Sequence, residues 1–592
     1  VPVSFTGGIT GRLFQQFSVT IAVSVVISAF NALTLSPALC ALLLRRREPP
    51  KKGFFAAFNR WFARRMDKYT AFTPTLIRHV ARTGVFIAAV LAVIFLVWRK
   101  LPAGFLPEED QGYVMVMVST PEASSLQMTQ KAMIRADEVI RTLPEVASTS
   151  FAAGFNMMAG IASTDSGIIF VSLVGYSDRK LTAMEIAQRL TDELYMAVPG
   201  AECFAFIPPS IPGLGITSGV SVEVQDLEGR GTAYLLEQSE RLMDSLRKLP
   251  SVASVTTQFN AGVPQRRLRI DKEQALASGV DLGVLYGDLT TLLGGAYVNN
   301  FSRFGKLYQT YIQAAPAYRM DKRSLDSYYV ASSSGESVPV SSLVEVVDTV
   351  GVEYVSQFNL YRSIGLTVTP AARTSTTTVM QDITRTAAQV LPDDVGTAWS
   401  GTSFQEANAS KTGGLVYLLA LVFVFLALAA LYESWGLPLA ILMSVPVAVL
   451  GAVLFIGVSH LLNAFYVNDI YMQISLVMLI GLAAKNAILV VEYADRLFNE
   501  QGASLMDAAI GAAKLRVRPI IMTAFAFILG VMPLIFASGV YATARNIMGV
   551  ALVGGMLFAT LLGIFVYPAL YYFVGRIGGF ERRRERKKQE QS

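Results

Sequence analysis

The chain has 592 residues but only two cysteines and two histidines. Two cysteines make no disulfide framework, and Cys40 lies in an apolar run while Cys203 lies in a stretch of ordinary composition. His79 and His460 are far apart and form no metal motif. No nucleophile elbow, phosphate-binding loop, zinc spacing or dinucleotide fingerprint occurs. The glycines in 154–167 and 213–219 lack phosphate-binding spacing and read as mobile loops between strands. An ATPase is therefore not expected, nor a cofactor, a metal site or any other catalytic set. The opening Val1-Pro2-Val3-Ser4-Phe5-Thr6 has no initiator methionine and no basic leader, so no signal peptide is visible. The long apolar runs contain no aspartate or glutamate.

Hydrophobic residues make up 53% of the chain, and its mean hydropathy is +0.45. That is too apolar for an ordinary soluble protein and points to a polytopic membrane protein. Seven stretches are long enough to cross a core of about 30 Å. They are 13–44, 84–98 (extended to 106 by 101–106), 413–432, 437–458, 470–491, 519–537 and 546–574, the last five forming a five-helix region over 413–574. Basic residues sit at 45–52, 496–518 and in the tail 575–592, so that side is cytoplasmic. The net charge of +6 comes mainly from these clusters and argues for orientation, not nucleic-acid binding. Seven spans place the first residue outside. A start outside without a signal reads as the later part of a longer chain.

Lys485 lies inside the run that begins near Ile470. A lysine at a helix centre costs roughly 2.5–3.5 kcal/mol, so such residues usually face a bundle interior and mark ion or proton routes. The alternative is snorkelling to the interface near Glu492 and Arg496. Glu492 is roughly 10 Å away along the axis, and Asp469 is farther. A partner acid is thus expected outside this chain. Burial and a changing partner shift a lysine's proton affinity, which points to protons as the energy source. Arg516 and Thr523, seven residues apart, share nearly one helix face; Arg516 alone also fits an ordinary positive-inside anchor.

Residues 53–80 carry Phe54, Phe58, Trp61, Phe62 and Met66 at helical spacing, with Arg60, Arg64 and Arg65 between them. They read as an amphipathic helix on the cytoplasmic membrane surface, or as a soluble helix packed on the bundle. Between the second and third spans, about 300 residues of ordinary composition repeat one pattern four times: strand, helix, Leu/Val-Pro stop, strand. The units make two split-βαβ subdomains, 110–208 and 209–260 with 358–405, the second interrupted by an inserted subdomain at 261–357. The fold class is an α+β polytopic membrane protein. Met115, Met117, Phe151, Phe155, Met157, Met158, Phe170, Phe204 and Phe206 cluster at strand ends and loops. Alternation puts Met115 with Met117, and Phe204 with Phe206, on one strand face. They fit a sheet core or an adaptable apolar binding surface; Phe155, Met157 and Met158 in a glycine-rich loop favour the latter.

Gly481-Leu-Ala-Ala-Lys-Asn-Ala-Ile-Leu-Val-Val-Glu492, Leu431-Tyr-Glu-Ser-Trp435, Arg516-Val-Arg-Pro519 with Phe527-Ile-Leu-Gly-Val-Met-Pro533, Phe105-Leu-Pro-Glu-Glu-Asp-Gln-Gly112 and Leu35-Ser-Pro-Ala-Leu-Cys40 resemble resistance–nodulation–division (RND) multidrug efflux pumps of the AcrB type. The resemblance runs nearly end to end and covers the family's second half. It implies a homotrimeric drug/proton antiporter of the bacterial inner membrane, in contact with membrane lipid. Hydrophobic drugs and protons would be its ligands, with a periplasmic adaptor and an outer-membrane channel as partners. Lys485, Arg516 and Thr523 match relay positions whose aspartates lie on an earlier helix. Phe151, Phe155 and Phe170 resemble deep-pocket phenylalanines, and 154–160 the switch loop. Met115, Met117, Phe204 and Phe206 match the access pocket. Met157 stands where phenylalanine is typical, and Thr256 where arginine is frequent. Gly294-Gly-Ala-Tyr-Val-Asn-Asn-Phe301 resembles the start of the docking hairpin. Two other readings are a heavy-metal exporter of the same superfamily, with methionines as soft ligands, and a non-transport assembly or protein-export factor.

Overall fold

The computed structural model describes residues 8–44, 53–78, 80–211, 213–215, 219–371, 374–463 and 465–580. His79, the basic run at 45–52, residues 216–218 of the second glycine stretch and the basic tail at 581–592 lie outside the described residues. Four helices come first: α1 Gly8–Leu33, α2 Leu35–Leu43, α3 Phe54–Ile77 and α4 Val80–Lys100. Helix α4 stops at Lys100 and does not run on to Leu106. Pro102 cannot continue a helix, and the segment after it runs beside residues 467–470. Asn468 donates its amide to the Pro102 carbonyl (2.9 Å), Gly104 to Asn468 (3.2 Å) and Ile470 to Phe105 (3.2 Å).

The first sheet follows: β1 Tyr113–Ser119, α5 Leu126–Ile140, β2 Val146–Asn156, β3 Ile161–Leu173, α6 Ala183–Ala197 and β4 Glu202–Phe206. Its order is β2-β3-β1-β4, antiparallel throughout. Met133, Ala136 and Ile140 of α5 and Ile186, Leu190 and Leu194 of α6 recur at helical spacing and bury against Val114, Val116, Val118, Ile169 and Val171. Thr182 and Glu185 form a capping box at the start of α6. The second sheet begins with β5 Val220–Asp226, α7 Thr232–Leu246 and β6 Val252–Thr257.

A separate compact unit comprises Pro121–Ser124 and Phe259–Val355. It contains β7 Val263–Ile270, α8 Lys272–Ala277, α9 Leu282–Leu289, β8 Ala296–Arg303, β9 Lys306–Ile312, β10 Tyr329–Ala331, β11 Ser337–Pro339 and β12 Val344–Gly351. Val280, Leu285, Val330, Val340 and Leu343 form its core. The β8–β9 hairpin is exposed almost throughout, its rings paired across the strands as Phe301–Tyr308 and Tyr297–Tyr311.

The chain then returns to the second sheet with β13 Ser356–Phe358, β14 Tyr361–Pro370, α10 Thr376–Val390 and β15 Val395–Trp399. Strand β14 lies between β6 and β5, and β15 flanks β5, so β6-β14-β5-β15 repeats the order of the first sheet. Among the described residues seven helices follow: α11 Gly401–Tyr432, α12 Gly436–Leu442, α13 Val445–Leu462, α14 Ile470–Asn499, α15 Leu505–Ile535, α16 Ala542–Leu561 and α17 Gly563–Ile577. The base of α11 is tied to the second sheet and its helix. Ser403 Oγ accepts the Ser221 amide (2.9 Å), and the Glu406 carboxylate accepts both the Thr376 (2.8 Å) and Thr377 (2.5 Å) hydroxyls.

Among the described residues six stretches are long and apolar enough to cross a membrane: Gly8–Leu43, Ala81–Lys100, Gly436–Leu462, Ile470–Asn499, Leu505–Ile535 and Ala542–Leu561. Tyr417–Tyr432 is a shorter apolar stretch. The apolar run 546–574 reads as one span but breaks at Leu562 into α16 and α17. Within α17, Pro568 has no amide to give the Ile564 carbonyl. The Tyr69 hydroxyl of α3 supplies that bond at 2.9 Å. Met66, Tyr69 and Ile77 of α3 pack on the bundle, while Phe54, Phe58, Trp61 and Phe72 are exposed.

Helices α13 and α16 touch through glycines. A Cβ at Gly451 would lie 2.3 Å from the Gly554 carbonyl oxygen, and one at Gly554 would lie 2.9 Å from the Gly451 oxygen. Small residues at such crossings let backbones meet in lipid. Gly451→Ala should therefore destabilise the bundle by about 1–3 kcal/mol or more, since backbone must move. Gly530→Ala, where a Cβ meets nothing within 4 Å, should be neutral or mildly stabilising. Thermal unfolding of the two variants in detergent checks this; equal midpoints would remove Gly451 as a packing constraint.

Candidate functional site

The first sheet has one face closed by α5 and α6 and one face left for other contacts. Its register fixes what stands there. Met115 pairs with Phe170 on one side and Phe206 on the other; Met117 pairs with Ile168 and Phe204. Residues paired across strands share a face. Met115, Met117, Ile168 and Phe206 are buried together, with Tyr113, Met157 and Met158 packed against them. Phe170 and Phe204 remain exposed, at 37% and 50%. Phe204 and Phe206 stack with centroids 5.8 Å apart. The structure thus gathers Met115, Met117, Met157, Phe170, Phe204 and Phe206.

Phe151 and Phe155 stand differently. Phe151 pairs with Ile169, which packs into the core under α5, so Phe151 lies on the opposite face from Phe170. Phe155 lies beyond an irregularity in the pairing, opposite Ala162, and is exposed. The 154–160 stretch is the tip of the β2–β3 hairpin. The Gly160 amide reaches the Asn156 carbonyl at 2.8 Å, and φ is +71° at Gly160, which favours glycine. Thr256 is on β6 in the second sheet, where it pairs with Thr367.

The second set lies in the helices. Lys485 is exposed on α14, one turn from Gly481, where a Cβ would meet nothing within 4 Å. Ala483, Ala484, Asn486 and Ala487 on the other faces are buried. Among the described residues Lys485 forms no ion pair, whereas Glu492 is paired with Arg496. The Arg516 guanidinium of α15 lies 4.7 Å over the Tyr493 ring of α14, and its Nε has no acceptor. Thr523 is exposed and bonds only the Ile520 carbonyl, at 3.1 Å. Lys485 and Thr523 are therefore on uncovered faces, and Arg516 is held by a neighbouring ring.

Sequence reasoning missed the acids at the sheet end of these helices. Glu109, nearly fully buried, accepts the Ala544 (2.7 Å) and Thr543 (3.3 Å) amides at the start of α16. Burial raises its carboxyl above the usual range despite those bonds. Next to it, Asp110 accepts Arg179 Nη2 and the Ala183 amide, both at 2.8 Å. Burial acts to raise Asp110 too, but these bonds outweigh it and hold it below the usual range. Asp469 caps α14, its Oδ1 accepting the Met472 amide at 2.8 Å. The cap was readable as Asn468-Asp469 before an apolar run; its closeness to Glu109 was not.

The AcrB/AcrD/AcrF family model matches residues 1–575. A toluene efflux pump membrane transporter, TtgB, of Pseudomonas putida is 37% identical over 590 residues, covering 98% of this chain and 55% of the relative. The multidrug resistance protein MdtF of Escherichia coli is 34% identical over 588 residues, covering 97% and 55%. The multidrug export protein AcrF of Escherichia coli is 34% identical over 585 residues, covering 97% and 56%. The chain spans about half the length of these curated relatives. With a family model matching almost its whole length, the chain belongs to the AcrB/AcrD/AcrF family of membrane transporters.

Proposed function

We propose that the chain supplies the sheet and helix machinery of a proton-driven exporter of hydrophobic and amphiphilic drugs. The observation that carries this is Lys485, which among the described residues has no ion-pair partner and stands on an uncovered face of an apolar helix. A charge so placed is stable only with a partner, and one that changes partners moves protons. The relatives are nearly twice as long, and the partner acids belong to the part of them that this chain does not span. Seven spans, two split-βαβ subdomains on the periplasmic side and a docking hairpin at β8–β9 complete the reading. So do the bacterial inner membrane, a trimer, an adaptor and an outer-membrane channel. The face around Met115, Met117, Met157, Phe170, Phe204 and Phe206 is the drug surface, with Phe155 at its border and Phe151 on the sheet's other face.

A full-length transporter carrying this chain should lower dye accumulation in an efflux-deficient bacterium, and a protonophore should abolish that effect. Accumulation equal to the vector control would end the reading. The 592-residue chain alone, reconstituted in vesicles with an imposed pH gradient, should give no drug-dependent proton flux. Robust flux would place the whole relay in this chain.

A second reading has an observation of its own. Buried Met115 and Met117 with Met157 and Met158 form a thioether group suited to a soft metal ion. Resistance to silver or copper(I) salts without dye export would favour it.

A further inference from the structure

We propose that Asp469 and Glu109 form a proton-binding site that clasps the segment leading into β1 to the starts of α14 and α16. The site is separate from Lys485, which lies 16 residues along α14, about 24 Å away at the helical rise. Asp469 is fully buried, and among the described residues its Oδ2 has no hydrogen-bond donor. The Oδ1 of its neighbour Asn468, also buried, has none either. Glu109 lies close enough for its charge to act on Asp469. Two carboxylates buried at one place, one with a bare oxygen, are costly as a dianion. A single proton removes that cost by leaving one charge, which the Ala544 and Thr543 amides already hold on Glu109.

Among the described residues the one cation whose charge reaches the pair is Arg545 of α16, which acts to lower the Glu109 carboxyl and so favours leaving the remaining negative charge there. Its guanidinium donates to the Tyr541, Ser538 and Val540 carbonyls and bonds neither carboxylate. Tyr541 precedes α16, and Tyr471 follows Asp469 at the start of α14; both are tyrosines and bring no cation. From α1, exposed Arg12 bonds Gln15. From α13, the His460 ring faces the Tyr466 carbonyl at 3.0 Å. Tyr417 of α11 has a hydroxyl without a partner. Arg99 and Lys100 at the end of α4 are exposed. Burial, with Glu109 adding to it, pushes the Asp469 carboxyl up to about 7.

The step is a simple exchange. Hydronium on the sheet side gives its proton to Asp469 Oδ2, forming an O–H bond and leaving water; release is the reverse. The clasp couples the start of α14 to the first sheet. The Phe105–Ile470 hydrogen bond joins the segment to α14, and the same segment continues into β1 with Met115 and Met117.

The test is infrared difference spectroscopy of the 592-residue chain in detergent, titrated from mildly acidic to mildly alkaline pH. It reads the C=O stretch of a protonated carboxylic acid and needs no transport, so it stands or falls apart from the export reading. A band with its midpoint near pH 7 is expected. Asp469→Asn should remove it, and asparagine keeps the helix cap. Glu109→Gln, which removes the neighbouring negative charge, should move the midpoint to lower pH. A band retained in Asp469→Asn, no band at neutral pH, or a midpoint unmoved by Glu109→Gln would each overturn the assignment.

Thermal unfolding provides a second arm. The folded value of Asp469 is above its ordinary 3.8. Folded chain thus holds a proton that unfolded chain has lost between 3.8 and about 7. Wild-type stability should fall with rising pH across that window relative to Asp469→Asn, then run parallel above it. Parallel curves throughout would overturn the site.

Discussion

Replacing Lys485 by alanine is expected to reduce export to the level of a vector control while the protein stays folded. The folding half follows from where Lys485 stands. Its side chain is exposed on α14 and packs no core, whereas Ala484 and Ala487 beside it are buried. Alanine is the best helix former, and removing the ammonium also removes a cost of roughly 2.5–3.5 kcal/mol in the membrane. The functional half follows from charge. No other lysine lies inside the apolar runs 13–44, 84–98, 413–432, 437–458, 470–491, 519–537 and 546–574. Drug resistance in a full-length transporter, at matched expression, checks both halves. Wild-type resistance in the variant would remove Lys485 from the mechanism.

Phe204→Ala and Phe155→Ala are expected to change which drugs are exported, at little cost in stability. Phe204 is half exposed and touches Phe206 on the open side of the sheet, and Phe155 is 41% exposed. Truncating a buried phenylalanine costs about 3–5 kcal/mol, but these rings lack the burial that generates such a loss. On a binding face the loss depends on the ligand, because each drug uses a different subset of apolar contacts. Ile169→Ala is the contrast. Ile169 is fully buried beneath the helices of the first sheet, so it should lower the melting temperature and resistance to every drug alike. Inhibitory concentrations across diverse drugs, with melting of the purified protein, separate the two outcomes. A uniform drop with lowered melting for Phe204→Ala would make it a core residue.

The repeat was legible because each unit carries its own punctuation. Helices α5, α6, α7 and α10 end at Ile140, Ala197, Leu246 and Val390, just before Pro144, Pro199, Pro250 and Pro392. Strand alternation correctly joined Met115 to Met117 and Phe204 to Phe206, since period two is local. Phe151 was harder to place. Its face depends on register shifts in β2, which depend on the partner strand and leave no mark in composition. The break at Leu562 was hidden by unbroken hydropathy; the Tyr567 hydroxyl of α17 bonds the Ala559 carbonyl of α16 across it at 2.6 Å, a contact no local pattern announces. The Glu109–Asp469 clasp joins residues some 360 positions apart, a separation that no local pattern reaches.

Lys485 as the proton-coupling group is tested most directly by measuring proton flux and drug flux together. Vesicles holding a full-length transporter that carries this chain would be loaded with a pH-sensitive dye. Wild type should show proton movement stimulated by drug, and Lys485→Ala should show none at equal protein content. Drug-stimulated proton flux that persists in Lys485→Ala would contradict the account.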